Sequence, residues 1–352
     1  MKKISINILI AFLVLLMVFP VTLFAGNKQR AGQAGASELL INPWARSSGW
    51  GGANTSGIKG LEAVFSNVAG LAFTNNTDLI FVNTQWFADI GINAFGFAQK
   101  VGESGVISLS VMTVDYGEIP ITTVDLPEGG IGTFHPQNSV IALAFAKEFS
   151  NSIYGGMTIK IISESISDLT ASGVCFDAGI QYVTGSEEQI KFGVSMKNVG
   201  PTMKYKGDGL SFRGIVPESE VDLTVEQRSQ DFELPSLITI GASYDFNFSE
   251  KTKLITAANF TSNSFTRDQY HFGFEFVYQN ILFLRAGYVH EEGDKIFGND
   301  YDSRATAFTG PSLGFSLQIP VNKNGSIFSL DYSYRDTDPF NGVHTIGATV
   351  SL

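Results

Sequence analysis

Residues 269–278 have the sequence Gln-Tyr-His-Phe-Gly-Phe-Glu-Phe-Val-Tyr, and this stretch decides the fold. Its aromatic residues occupy every second position, and a period of two is typical of a β-strand, in which successive side chains point to opposite faces. The aromatic face consists of Tyr270, Phe272, Phe274, Phe276 and Tyr278. The opposite face carries His271, Gly273 and Glu275, so one side of the strand is apolar and the other is small or polar.

The same alternation recurs from Leu79 to the C-terminus, in segments of 8 to 13 residues that are separated by turn residues. No helical period competes with it over a long window, so the chain is predicted to be all-β. Fourteen strands are predicted, at 79–86, 91–100, 106–115, 139–147, 153–163, 174–183, 189–198, 235–247, 253–260, 269–278, 281–289, 312–319, 325–335 and 343–352.

The faces and the connections together favour a membrane barrel over a soluble sandwich. The second face of the strands is rich in Gly, Ser and Thr with isolated charges, whereas soluble sheets present dense Lys and Glu. Connections after even-numbered strands have five residues or fewer, and most of those after odd-numbered strands are long. Outer-membrane barrels have short periplasmic turns and long external loops. The sequence therefore predicts a 14-stranded antiparallel transmembrane β-barrel at 79–352, with 116–138, 164–173, 199–234 and 290–311 among its long external loops.

The first segment indicates export from the cytoplasm. Lys2 and Lys3 are followed by an apolar run at 8–21 and by the small residue Ala25. A basic start, an apolar run too short to span a membrane and a small residue at the cut are typical of a cleaved signal peptide. We therefore predict a signal peptide at 1–25.

Residues 26–78, which are rich in Gly and Asn, carry a family resemblance. The stretch Ala45-Arg46-Ser47-Ser48-Gly49-Trp50-Gly51-Gly52-Ala53 is followed by Gly60-Leu61-Glu62-Ala63-Val64-Phe65-Ser66-Asn67-Val68-Ala69-Gly70-Leu71-Ala72. Both resemble the start of PorV/PorQ outer-membrane proteins, which are themselves similar to FadL-type fatty-acid transporters. Val68 stands where the family motif has Pro. Shorter matches at 115–120, 173–177, 197–201 and 232–235 extend the resemblance over essentially the whole mature chain.

The resemblance implies a barrel in the cell outer membrane whose N-terminal segment, 26–78, folds into the lumen as a plug. The motif residues associated with the plug are Arg46, Gly49, Gly51, Gly52, Asn67 and Gly70. The resemblance further implies an accessory or cargo-binding role in type IX protein secretion, with outer-membrane lipid, a large translocon barrel and the C-terminal domains of exported cargo as partners. The alternative for 26–78 is a flexible linker, because Gly-rich segments are often disordered.

The polar faces of the predicted strands carry isolated charges that are expected to point into the lumen. These residues are Asp177, Lys191, Lys197, Glu275, Arg285 and Asp331. Opposite charges inside a barrel are expected to form a polar network that holds a plug, and the alternative is a path for a polar substrate.

Composition and motifs exclude several function classes. A net charge of −11 with scattered Lys and Arg does not suit a nucleic-acid partner. Cys175 is the only cysteine, the four histidines are dispersed, and no nucleophile elbow or phosphate-binding loop occurs. We therefore predict no enzymatic activity, no cofactor and no metal. The one catalytic alternative is a lipid-modifying enzyme with His271 as its base.

The longest predicted connection, 199–234, is the candidate partner-binding loop. It mixes charges with apolar residues, among them Tyr205, Phe212 and Ile215, and exposed apolar groups on a loop favour packing against a partner. The predicted function is protein export by binding, and the alternative is a FadL-like channel for hydrophobic small molecules. A channel requires an apolar pocket between plug and wall, whereas a cargo carrier requires a closed lumen and an exposed loop surface.

Overall fold

The computed structural model describes residues 26–103, 105–215, 221–292, 309–321, 325–337 and 340–352. The predicted signal peptide at 1–25 and most of the predicted external loop 290–311 lie outside these residues. Among the described residues, no helix is long and apolar enough to cross a membrane.

Fourteen antiparallel strands form a closed barrel, which confirms the predicted fold class. The strands are β1 Thr77–Gln85, β2 Gly91–Val101, β3 Gly105–Asp115, β4 Gln137–Ser150, β5 Ile153–Ile166, β6 Leu169–Thr184, β7 Ile190–Val199, β8 Leu237–Ser249, β9 Thr252–Asn263, β10 Gln269–Tyr278, β11 Leu282–Glu291, β12 Gly310–Pro320, β13 Ile327–Arg335 and β14 Val343–Ser351. Each strand pairs with its neighbours in sequence, and β1 pairs with β14, with Leu79 opposite Val350, to close the sheet. Closure pairs the backbone groups of every strand, which a lipid environment requires.

The period of two places large apolar side chains outside and small or polar ones inside. On β10, Phe274 is 54% exposed on the outer face, whereas Gly273 and Glu275 are turned inward. On β9, Asn259 and Thr261 are buried on the inner face. An apolar outer band around a polar interior is the pattern of a barrel whose outer surface contacts lipid.

The external connections differ from the prediction at one place. Residues 164–173 were expected to form a loop, and this is wrong, because β5 and β6 continue to Ile166 and Leu169 and are joined by Ser167 and Asp168. The alternation continues although the residues become polar, since Ile162 and Glu164 are both buried. Polar outward residues are tolerated there because the hairpin extends toward the aqueous end of the barrel.

Two pairs of short strands and one further short strand organise the loops on the same side. Ile119–Pro120 pairs with Thr133–Phe134, and Ser211–Ile215 pairs with Asp222–Glu226. Tyr205–Lys206 adds to the outer end of β6, where β7 has already turned away.

Residues 26–76 form the segment that we call the plug, and its largely buried part, 36–74, lies within the barrel. It contains the short helix α1, Ala45–Gly49, and 3₁₀ turns at Ser37–Leu40, Leu61–Phe65 and Val68–Phe73. The last two turns fill the lumen with apolar side chains, and Trp44 packs edge-on against Phe65 with ring centroids 5.7 Å apart. The apolar core joins these turns to inward residues of β1 to β5 such as Ile80 and Met112. This half of the plug is therefore held by apolar burial.

Candidate functional site

The candidate site is the contact between the plug and the inner wall, and Arg46 on α1 is its main charged anchor. The Arg46 Nε lies 2.8 Å from Asp331 Oδ1 on β13 and 3.4 Å from Glu62 Oε1 in the plug. Burial opposes the charge of Arg46, but Asp331 and Glu62 outweigh it and raise the pKa of the guanidinium above its usual value. Arg46 therefore stays charged and ties two parts of the plug to the wall.

The glycines of the first motif shape a turn whose carbonyl groups face the wall. Gly51 and Gly52 have φ values of 63° and 72°, a left-handed conformation that favours glycine. The Gly51 carbonyl lies 2.7 Å from His271 Nδ1 on β10, and the Gly52 carbonyl accepts a hydrogen bond of 2.8 Å from Asn259 Nδ2 on β9. The Gly49 carbonyl accepts from Ser312 Oγ at 3.3 Å. The motif thus binds the wall through its backbone.

A set of glycines on the barrel wall, which we call the belt, leaves room for the plug to lie close to the wall. A Cβ added to any of them would lie within 3.4 Å of a plug atom, so each permits a close approach of the plug to the wall. The belt consists of Gly179, Gly193, Gly241, Gly273, Gly287 and Gly314, on β6, β7, β8, β10, β11 and β12. At Gly287 the added Cβ would stand 2.2 Å from the Trp50 carbonyl, which is the tightest contact to α1 and its turn.

The second motif fixes the other half of the plug through Asn67. Its Oδ1 accepts from the Ala69 amide at 3.2 Å and caps the 3₁₀ turn that begins at Val68. Its Nδ2 donates to the carbonyls of Thr55 and Ile180, both at 3.0 Å. Gly70 sits so close to Ile58 that a Cβ would meet the Ile58 carbonyl at 2.2 Å. Asn67 holds this turn although Val68 replaces the proline of the family motif.

The six predicted lumen charges lie on the inner side of the wall, but they form separate clusters and not one network. Lys191 Nζ lies 2.6 Å from Asp245 Oδ2, which also pairs with Lys253 at 2.7 Å. Arg285 Nε lies 2.5 Å from Glu275 Oε2, and this carboxylate also accepts from Trp50 Nε1 of the plug at 3.3 Å.

Asp177 and Lys197 belong to a cluster at the seam between β6 and β7. Lys160 Nζ lies 2.5 Å from Asp177 Oδ2, and Asp177 Oδ1 accepts from the Asn198 backbone amide at 2.8 Å. Asn198 has φ +60° at a register shift between the two strands, and its side chain donates to the carbonyls of Leu39 and Pro235. Lys197 donates to the Phe65 carbonyl at 2.9 Å. The polar groups freed by the bulge are thereby satisfied.

Sequence reasoning missed several partners of these charges. Lys160 and Asp245 occupy inward positions of their strands. The same alternation that identified Asp177 and Lys191 could therefore have identified these two residues. Glu62 and Glu38 lie in the plug, which has no periodicity from which an inward position follows. Both are buried, with 6% and 1% of their surface exposed.

Three of the cavities that adjoin the plug border its helix α1. One of about 330 Å³ opens beside Arg46, Lys59, Lys191 and Glu275. A second, of about 490 Å³, shares Arg46, Lys59 and Glu62 with it and extends to Leu352 at the end with the short turns. The third, of about 290 Å³, lies toward the loop end and is bordered by polar groups, including Lys197 and His271. Charged and polar side chains are prominent in all three, so the apolar pocket expected of a channel is not among them.

The three predicted partner-loop residues are not equivalent. Phe212 and Ile215 lie on the external hairpin and are 52% and 71% exposed. Tyr205 instead adds to β6, packs against Phe232 and donates its hydroxyl hydrogen bond to Glu164 on the inner wall.

Comparison with known proteins identifies the fold. No model of a known protein family matches the chain, and no curated protein matches it. The structure is similar to the CymD monoaromatic hydrocarbon channel, with a TM-score of 0.52 and 12% identity over 88% of this chain and 97% of that chain. It is also similar to the Pseudomonas putida toluene transporter TodX, with a TM-score of 0.51 and 13% identity over the same shares. At these identities the similarity establishes the fold alone, which is the closed β-barrel of CymD and TodX.

Proposed function

We propose that the protein is an outer-membrane channel for small hydrophobic molecules, closed by its plug. The observation that carries the proposal is a pair of cavities that lie on opposite sides of plug residues 47–57, along the same wall strands. The functions of CymD and TodX, a hydrocarbon channel and a toluene transporter with this fold, support the proposal.

The two cavities are separated by a thin part of the plug. On β10, His271 borders the cavity of about 290 Å³ near the loop end, which we call the upper cavity. Glu275 borders the cavity of about 330 Å³, which we call the lower cavity, and Gly273 between these two residues faces Trp50. Each cavity, at about 290 and 330 Å³, exceeds the roughly 150 Å³ in which an engineered protein cavity binds benzene. A displacement of the turn at 50–55 would join them into one path.

The side chains that line the lower cavity indicate which kind of substrate is expected. The lower cavity is bordered by Arg46, Lys59 and Lys253 as well as by apolar Ile255 and Val277. Removing water from charged groups without a replacement hydrogen bond is costly. A molecule with an apolar body and a polar group is therefore expected to pass better than a pure hydrocarbon.

Uptake into proteoliposomes tests the channel with a plug variant. Asn259→Ala removes the hydrogen bonds from Asn259 Nδ2 to the Gly52 carbonyl and to Thr55 Oγ1, both of 2.8 Å. We expect uptake of a monoaromatic alcohol to exceed that of empty vesicles and to rise further in Asn259→Ala. Asn83→Ala is the matched control, because Asn83 lies exposed on the outer face. Uptake no faster than in empty vesicles for all three proteins would count against a channel.

A second candidate function, protein export, is favoured by the exposed apolar groups of the external loops. Val124 is 99% exposed, and Phe212 and Ile215 are also exposed. Such groups favour contact with a partner, and the PorV/PorQ resemblance suggests a large translocon barrel and the C-terminal domains of cargo. A lumen filled by the plug is compatible with a protein that binds and does not conduct.

Replacing hairpin residues 211–226 with a short Gly/Ser linker separates the two functions. If the protein serves export, secreted protein should fall while the barrel stays folded, as judged by heat-modifiable migration on a gel. If it is a channel, secretion should be unchanged and only uptake should respond to changes in the plug.

A further inference from the structure

Two buried glutamates meet where the plug, the wall and an external loop come together. Glu38 lies in the plug turn Ser37–Leu40, and Glu164 lies on β5 near its outer end. In register, Glu164 stands between Asn138 on β4 and Ala171 on β6, and Ala171 pairs with Tyr205 of the external loop. Three separate parts of the chain therefore contribute to one place.

Within the described part of the chain, each glutamate has one oxygen that accepts no hydrogen bond. Only 1% of Glu38 and 4% of Glu164 is exposed, and the atom concerned is the buried Oε1 of each. The Glu164 Oε2 accepts from the Tyr205 hydroxyl. Buried carboxylates are normally paired with a cation or fully hydrogen-bonded, so these two atoms are exceptions that require an explanation.

The surroundings supply oxygen atoms and no positive side chain. Both glutamates border a cavity of about 370 Å³ together with Asn138, Tyr205, Phe232 and residues 32–37, and none of its described lining residues is Lys, Arg or His. The Asn138 Nδ2 donates to the Tyr116 hydroxyl at 3.2 Å, which leaves the Asn138 Oδ1 as a further acceptor.

Two buried carboxyl groups face this cavity, and none of its described lining residues has a cationic side chain, so the site lacks a positive charge that a bound cation can provide.

We propose that this cavity binds a divalent metal ion of the calcium type, through the Oε1 atoms of Glu38 and Glu164. Calcium accepts six to eight oxygen ligands in flexible geometry, including amide and backbone carbonyls and water. Glu38 and Glu164 are the acidic side chains among the described lining residues of the cavity, so neutral oxygens would complete the ligand shell. A bound ion ties the start of the plug to the wall. The proposal does not depend on what the barrel transports or exports.

Terbium luminescence on the purified full chain in detergent tests the site, because Tyr205 and Tyr116 lie close enough to transfer excitation energy to a bound terbium ion. We expect saturable luminescence on tyrosine excitation, displaced by calcium with a dissociation constant of about 10⁻⁴ to 10⁻³ M, as in extracellular calcium modules. Glu38→Gln combined with Glu164→Gln should weaken binding by about tenfold or more, because ligand charge sets affinity in such sites. Glu226→Gln is the matched control, because Glu226 is an exposed carboxylate in the external loop that contains Tyr205.

Thermal unfolding of the wild-type protein gives a second measurement that needs no variant to fold. Calcium should raise the melting temperature relative to a chelator at pH 7.5, and the control Glu226→Gln should retain the shift. A melting temperature that follows pH but not calcium would assign the missing charge to a proton and overturn the proposal. Equal terbium binding in the wild type and the double variant would also overturn it.

Discussion

Gly287→Ala should loosen the plug, and the structure sets the size of the effect. The new Cβ would lie 2.2 Å from the Trp50 carbonyl, whereas atoms in contact prefer about 3.5 Å, so the plug turn must move by about 1 Å. That shift lengthens the Gly51–His271 contact of 2.7 Å and the Gly49–Ser312 contact of 3.3 Å beyond hydrogen-bond range. Two lost hydrogen bonds of about 1 kcal/mol each reduce the free energy that holds the turn by about 2 kcal/mol.

Hydrogen exchange of peptides from 45–57 measures this change, and 2 kcal/mol corresponds to roughly 30-fold faster exchange. Exchange in 61–73 should stay the same, because those turns are held by apolar packing away from Gly287. Gly91→Ala is the control, since an added Cβ at Gly91 meets no atom within 4 Å. Unchanged exchange at 45–57 in a folded Gly287→Ala barrel would refute the assignment of Gly287 as a plug contact.

Three further predictions test orientation, the lipid face and pH dependence. Thiols introduced by Val124→Cys and Ser186→Cys should differ in intact cells, with only the first labelled by an impermeant reagent; the reverse result would invert the topology. Phe274→Arg should destabilise the barrel by about 2–4 kcal/mol in lipid-vesicle folding titrations, whereas equal stability would remove Phe274 from the lipid face. Burial raises the pKa of Glu62 to about 7, so the folded state holds a proton that the unfolded state has lost between pH 4.5 and 7. Stability in urea titrations should therefore fall as pH rises through that window, by up to about 3 kcal/mol, and Glu62→Gln should lose this dependence.

The barrel could be predicted because its strands repeat one physical rule. Phe274 on the outside and Glu275 on the inside follow from position alone, and the same rule places Asp177 and Asp331 inward. The rule failed at 164–173, where the residues become polar on both faces while the hairpin continues. Turn composition indicated a loop there, but pairing of β5 with β6 determined the structure.

The plug contacts were harder to predict for a different reason. They are made largely by backbone carbonyls, such as those of Gly51 and Gly52, whose direction no side-chain pattern reveals. The wall glycines were visible on the small-residue face, but only the structure brings Gly193, Gly273 and Gly287 to the same plug turn. The pairing of Glu38 with Glu164 joins residues far apart in sequence and in different segments, so composition and spacing gave no signal for it.

The two halves of the plug differ in what holds them, and this difference decides which half can move. Residues 61–73 bury Leu61, Phe65 and Leu71 in the main apolar core, and displacing them would expose that surface to water. Residues 47–57 have a much smaller apolar contact, centred on Trp50, and are otherwise held by hydrogen bonds that water can replace. If the barrel conducts as proposed, a path along β7 to β11 opens at lower cost by moving 47–57 than by expelling the whole plug. Arg46, which precedes this stretch, is held to the wall by its ion pair with Asp331.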